Sequence, residues 1–266
     1  MPYCSAARQQ FHYRDEGSGD PVLFVHGFPL DGTMWLEQIE RASPRVRCIA
    51  PDLRGFGLND PSTDRVLTME RHADDLAAIM DAFGVDGVDL VGHSMGGYVA
   101  LAFAERHPER IRTLALVNSK STADSEEAKA GRDMTAIKTV IQGRAVLARE
   151  MADGLLADEA SPWHKARVET MVEETRVETI VAALEGMKQR PDRTAVLESL
   201  AVPMVAIVGE EDRLTPVVEA ETMVAAVSDG TTAVIPRAGH MAPIENPDAV
   251  AAALAALWDR VESRAG

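Results

Sequence analysis

The chain has 266 residues, 46% hydrophobic and 26% charged, enough for one large α/β domain or a core carrying an insertion. Its 42 acidic and 27 basic residues leave a net charge of −15, which repels phosphate backbones and excludes a nucleic-acid partner. No run reaches the ~18 apolar residues of a membrane span, no basic-then-apolar leader opens the chain, and Cys4 and Cys48 show neither metal nor disulfide spacing. A cytoplasmic protein with no membrane partner is expected.

Gln9 to Arg14 is expected as an edge strand, closed by the turn Gly17-Ser18-Gly19-Asp20, with Cys4 in an N-terminal tail. The apolar runs 21–26 and 46–50 have the composition of strands buried in a parallel sheet. Met69, Ala73, Leu76, Met80 and Phe83 recur at four- and three-residue steps. That spacing predicts a helix over 69–83, with Thr68 as N-cap and Gly84 as its stop. A strand over 87–91, a helix over 95–106 ended by His107-Pro108, and a strand over 111–117 follow.

From 121 to 199 the pattern changes. No strand signal occurs, and Ala, Glu, Arg and Met at helical spacing predict about four helices. Leu147, Met151 and Leu155 form one apolar stripe; Val177, Ile180, Leu184 and Met187 form another. Such stripes need a partner surface, so 121–199 is expected as a helical lid over a core built from 1–120 and 200–266. Strands over 203–208 and 231–235 resume the first pattern. A final helix starts at Asn246-Pro247 and carries Val250, Leu254, Leu257 and Val261 on its docking face. The alternation predicts an α/β fold, a doubly wound, mostly parallel sheet with helices on both faces. Ligands of such sheets bind beyond the carboxyl ends of the strands.

At one of those ends stands Gly92-His93-Ser94-Met95-Gly96, a G-x-S-x-G turn between strand and helix. A serine hydroxyl is a poor nucleophile until it is exposed, deprotonated and its oxyanion stabilised. A sharp strand-to-helix turn exposes Ser94 and sets it at a helix N-terminus, where unpaired N–H groups favour negative charge. Gly92 and Gly96 let backbones pass where a β-carbon would clash.

A nucleophilic serine needs a histidine base and an acid to orient it. Among histidines 12, 26, 72, 93, 107, 164 and 240, His240 follows the last strand on a loop at the carboxyl edge and is the candidate base. His72 and His107 are expected at the surface, His93 turned away from Ser94, and His26 as a ring that props its loop by hydrogen bonds. The acid is expected to be Asp212, with Glu210 and Glu211 facing water; Asn118, after another strand, is not ionisable. Backbone N–H groups of Met95 and Phe28 are the candidate oxyanion donors. Gly27, Leu30, Met134, Trp163, Leu214 and Met241 are candidate substrate contacts, and Met187 is a further apolar one. Arg132, Arg144 and Arg149 are available to an anionic substrate. No metal spacing and no dinucleotide-binding glycine loop occurs, so neither metal nor cofactor is expected.

His26-Gly27-Phe28-Pro29, Asp52-Leu-Arg-Gly-Phe-Gly57, Gly92-His-Ser-Met-Gly96, Gly209-Glu-Glu-Asp212 and Gly239-His240 together resemble the α/β-hydrolases with a helical lid, over residues 9–263. Bacterial carboxylesterases and 3-oxoadipate enol-lactonases are the members it looks most similar to. The resemblance implies hydrolysis of small esters through an acyl-enzyme, with Ser94, His240 and Asp212 as triad and water as second substrate. Lactonase action, on an enol-lactone or an N-acyl-homoserine lactone, is the alternative, ahead of perhydrolysis or a receptor that keeps a slow triad. Dehalogenases of this fold need a carboxylate nucleophile, which Ser94 is not. Asn59 stands where the family usually has serine, in a loop read as structural. A monomer or homodimer is expected.

Overall fold

The computed structural model describes residues 2–265. Eight strands form one sheet: β1 (Tyr3–Ala6), β2 (Gln9–Glu16), β3 (Pro21–Val25), β4 (Arg47–Pro51), β5 (Val88–His93), β6 (Ile111–Val117), β7 (Met204–Gly209) and β8 (Gly230–Ile235). Their spatial order is β1-β2-β4-β3-β5-β6-β7-β8. β2 runs antiparallel to β1 and β4, and the pairs from β4 to β8 are parallel. Every residue of β5 and β7 is buried, as central strands are when helices cover both faces of a parallel sheet.

The helices of the core are α1 (Leu36–Ala42), α2 (Met69–Ala82) and α3 (Met95–Arg106). Five more stand between β6 and β7: α4 (Glu126–Gln142), α5 (Arg144–Leu155), α6 (Pro162–Glu174), α7 (Val177–Gln189) and α8 (Thr194–Ser199). After β7 come α9 (Val217–Ala226), α10 (Ala242–Glu245) and α11 (Pro247–Ala265). Capping follows the sequence. The side chains of Thr68, Ser125 and Ser161 accept from backbone N–H groups of the first turns of α2, α4 and α6, satisfying donors that the helix leaves orphaned. Among the described residues no helix is long and apolar enough to cross a membrane.

Three expectations need correction. The N-terminal tail is strand β1, which takes the sheet edge expected for β2, and Cys4 is buried. Its hairpin turns on Ala7 and Arg8, both at positive φ (47° and 61°). Glycine or asparagine usually marks such a turn, so composition carried no sign of it. The helical insertion has five helices rather than four, because α8 is too short to show a period. His72 lies inside, not at the surface. It falls three residues after Met69 and four before Leu76, on the very face of α2 that packs against the sheet.

The His72 ring is fully buried beside Phe56, and neither nitrogen makes a hydrogen bond. Burial, reinforced by the nearby His26 and Arg54, pushes its pKa down to about 3. The unfolded chain therefore binds a proton here below pH ~6.5 that the folded chain refuses until about pH 3. Stability from this group falls as pH drops through that window, by ~1.4 kcal/mol per pH unit. In His72→Leu the midpoint of acid unfolding, followed by circular dichroism, should move to lower pH; an unchanged or higher midpoint would contradict this account.

Candidate active site

Ser94 joins β5 to α3 with φ 52° and ψ −114°. A residue with a side chain held there stores ~1–3 kcal/mol of strain, so its neighbours must impose the conformation. They do. The Ser94 amide donates to the Val117 carbonyl at 2.9 Å, and the Ser94 carbonyl accepts from the amides of Gly97 and Tyr98 and from the Ser119 hydroxyl. The turn is pressed against the sheet: a β-carbon on Gly96 would lie 2.2 Å from the Val25 carbonyl, and one on Gly92 would lie 2.4 Å from that of Gly96.

Asp212, on the loop after β7, and His240, on the loop after β8, meet at 2.8 Å between Oδ2 and Nδ1. Both are buried. Asp212 Oδ1 accepts from the amides of Leu214 and Thr215 at 2.8 and 2.9 Å, and Oδ2 accepts from the Thr215 hydroxyl and from Asn118 Nδ2. Burial alone would raise the carboxyl's pKa. The charge of His240 and the hydrogen bonds from His240 and Thr215 outweigh it, holding Asp212 well below the usual carboxylate range. An ionised Asp212 only accepts, so the proton of neutral His240 sits on Nδ1 and Nε2 presents a lone pair. Nε2 has no hydrogen-bond partner.

Other groups secure these loops. The His240 amide donates to the Leu155 carbonyl at the end of α5, at 2.7 Å. The Glu245 carboxylate bridges the amides of Gly239 and Ala157, a second tie between the His240 loop and the insertion. His93 Nε2 donates to the His240 carbonyl at 2.8 Å. Burial, with the neighbouring His240 charge, pushes the His93 pKa down to about 3 and keeps that ring neutral. Asn118, set aside in the sequence as non-ionisable, donates from Nδ2 to both Asp212 and the Gly239 carbonyl. His26 bonds the Gly27 carbonyl through Nδ1 and accepts the Leu53 amide at Nε2, propping the loop after β3. Asn59 accepts from the His12 amide and donates to the carbonyls of Asp52 and Leu53, a structural knot.

Ser94, His240 and Phe28 line one cavity of about 450 Å3. The amides of Phe28 and Met95 have no hydrogen-bond partner among the described residues. Leu147, Met151 and Leu155 of α5 and Leu184 and Met187 of α7 give the cavity its apolar wall. Both stripes were legible as helical spacing, and Met187 lines the cavity as expected; that Leu147, Met151, Leu155 and Leu184 also form the wall was not foreseen. Of the candidate substrate contacts, Leu214 lines the cavity. Met134 and Trp163 do not: they stand exposed on the outer side of the insertion, and Trp163 packs under the Arg167 guanidinium. Leu30 and Met241 are fully buried in the core, where they touch no ligand space, and Gly27 does not line the cavity.

Arg132 lines it; Arg144 and Arg149 spend themselves on the carbonyls of Thr175 and Ala145. Lys120, Asp124, Tyr98 and Glu150 line it unforeseen. Their nearness depends on how the insertion folds back, which no local pattern records. Among the described residues no cluster of His, Cys, Asp and Glu side chains is placed to hold a metal ion.

The model of the alpha/beta hydrolase fold family matches residues 20–247, and the chain belongs to that family. A thermophilic esterase from Thermogutta terrifontis, solved with malate bound, is 36% identical over 98% of both chains, with a TM-score of 0.93. An enol-lactonase from Burkholderia xenovorans LB400 shares the fold, with a TM-score of 0.89 and 23% identity over 97% of this chain and all of that one. The 2-hydroxymuconate semialdehyde hydrolase of Pseudomonas sp. strain CF600 is 39% identical over 118 residues, 43% of this chain and 41% of that relative. This chain thus matches about two fifths of that relative's length. The likeness to the esterase runs along the whole of both chains.

The pressed turn can be tested directly. Gly96→Ala should cost ~1–3 kcal/mol of stability, lowering Tm by ~2–4 °C per kcal/mol. In Gly154→Ala, where the new β-carbon meets nothing within 4 Å, Tm should hold or rise. Equal Tm values for the two variants would refute the close approach.

Proposed function

We propose that the protein hydrolyses small carboxylic esters through an acyl-enzyme on Ser94. The observation that carries this reading is the paired, buried Asp212 and His240 on the same cavity as a serine held on a strained turn. Nε2 of His240 takes the proton from the Ser94 hydroxyl as Oγ attacks the carbonyl carbon. The negative charge that develops on the carbonyl oxygen is received by the amides of Phe28 and Met95, worth ~3–4 kcal/mol per donor. The imidazolium then protonates the departing alkoxide, and Asp212 stabilises the ring's charge throughout. Water, deprotonated by the same nitrogen, attacks the acyl-enzyme and releases the acid.

In this reading the segment 121–199 is the lid of the site. It supplies the apolar wall and holds the His240 loop through Leu155 and Ala157. Excluding water from that wall strengthens the electrostatic contacts at the reacting carbonyl. A lactone is a cyclic ester and meets the same groups. Ring opening differs only in that the leaving alkoxide stays attached to the acyl group.

With a short p-nitrophenyl ester, wild-type protein should show a burst of nitrophenol when deacylation is the slower step. Ser94→Ala should lose ~10³-fold or more of kcat, and Asp212→Asn ~10⁴-fold, because the amide leaves His240 in the wrong tautomer. A Ser94→Ala variant that keeps wild-type kcat would sink the proposal.

A further inference from the structure

Resting on the ester-hydrolase reading, we infer that the cavity takes esters or lactones bearing a second, ionised carboxylate, held by Lys120 and Arg132. The basis is a cationic cluster built around one internal acid. The Asp124 side chain is 1% exposed and lines the cavity. It accepts from Nε and Nη2 of Arg132 and pairs with Arg190 Nη1 at 2.8 Å. Burial alone would raise its carboxyl, but those guanidinium groups hold it ionised, below the usual range. One carboxylate is thus satisfied by two arginines.

A third cation is left over. The Lys120 ammonium stands 3.9 Å from Asp124, beyond hydrogen-bond reach, and is 20% exposed. No described residue accepts a hydrogen bond from it. Three cations thus face one carboxylate, where a purely structural ion pair would need one. Glu150, the other acid on the lining, is half exposed and paired with Lys138.

The three cations are not equally free. Arg190 is consumed: it donates to the carbonyls of Met187 and Thr122, and its guanidinium stacks on Tyr98 at 3.9 Å. Arg132 Nη1 has only the Met187 sulfur as a partner, at 3.4 Å, and a thioether is a weak acceptor. The Lys120 ammonium, Arg132 Nη1 and the Tyr98 hydroxyl, which has no hydrogen bond among the described residues, therefore keep unspent donors on the cavity wall. A carboxylate accepts through two oxygens and fits such a set. Lys120 and Arg132 line the same cavity as Ser94 and His240, so an anion held by them shares that space with the acyl group. A chain of net charge −15 repels anions at long range, so a substrate anion needs local cations, inside a screening length of ~8 Å.

The test compares monoethyl adipate with ethyl heptanoate, chain-matched esters that differ in terminal charge, by titrating released acid. Wild-type kcat/KM should favour the monoester. In Lys120→Met the ratio of the two kcat/KM values should fall about tenfold, mostly through KM for the monoester, and Arg132→Gln should lower it further or equally. Lys129→Met removes an exposed charge of α4 that pairs with Glu126 and should leave the ratio where it was. Because each ratio is taken on one preparation, a partly folded variant does not distort it. A wild-type preference for ethyl heptanoate, or a ratio unmoved by Lys120→Met, overturns this inference alone, provided that Ser94→Ala abolishes turnover. Turnover of neither ester overturns the hydrolase reading as well.

Discussion

The structure depends on the backbone of Ser94, which is held in a conformation that it would not adopt by itself. Three strands contribute to holding it. β5 delivers it, β6 supplies the Val117 carbonyl that receives its amide, and the end of β3 lies so close to Gly96 that no β-carbon fits between them. A parallel sheet twisted through these strands makes one carboxyl edge, and the loops after β3, β5, β7 and β8 open on it together. The strain at Ser94 is borne by packing spread over the central sheet.

The loop after β8 is bound differently, by polar ties rather than by close backbone approach. His93 and Leu155 fix the two sides of the His240 peptide. Asp212 fixes its ring, and Thr215 and Asn118 in turn fix Asp212. Every member of that network is buried, so each hydrogen bond is strengthened by low dielectric, and each lost partner would leave a costly orphan. The insertion takes part through Leu155 and Ala157. The helices that give the cavity its wall therefore also set the position of His240, and the insertion and the loop after β8 are parts of one network.

Much of the geometry was legible. Ser94, Asp212 and His240 each follow a strand, as expected, and the structure pairs Asp212 with His240 and sets Ser94 and His240 on one cavity. The hydrogen-bonding role of His26 could be read from its place at the end of an apolar run. Asn118 is no acid, as its residue type dictates, but its amide donates to Asp212 and to the Gly239 carbonyl, a tie that the sequence did not foretell. His72 was misplaced because a polar residue beside an apolar stripe was taken for its edge. The substrate contacts were least legible: Met134 and Trp163 are large and apolar in the right segment, yet they face away from the cavity.

The sequence by itself determined what local periodicity and punctuation can encode. That covers the strands, the capped helices, the serine turn and the loops bearing an acid and an imidazole. Only the tertiary structure decided which faces of the inserted helices meet the core, and with them the cavity wall and the cluster of Lys120, Asp124, Arg132 and Arg190. The physical reason is range. A helix writes its apolar stripe in its own sequence, but the partner of that stripe is chosen by long-range packing. Charges far apart in the chain acquire a common site only when that packing brings them within a few ångströms.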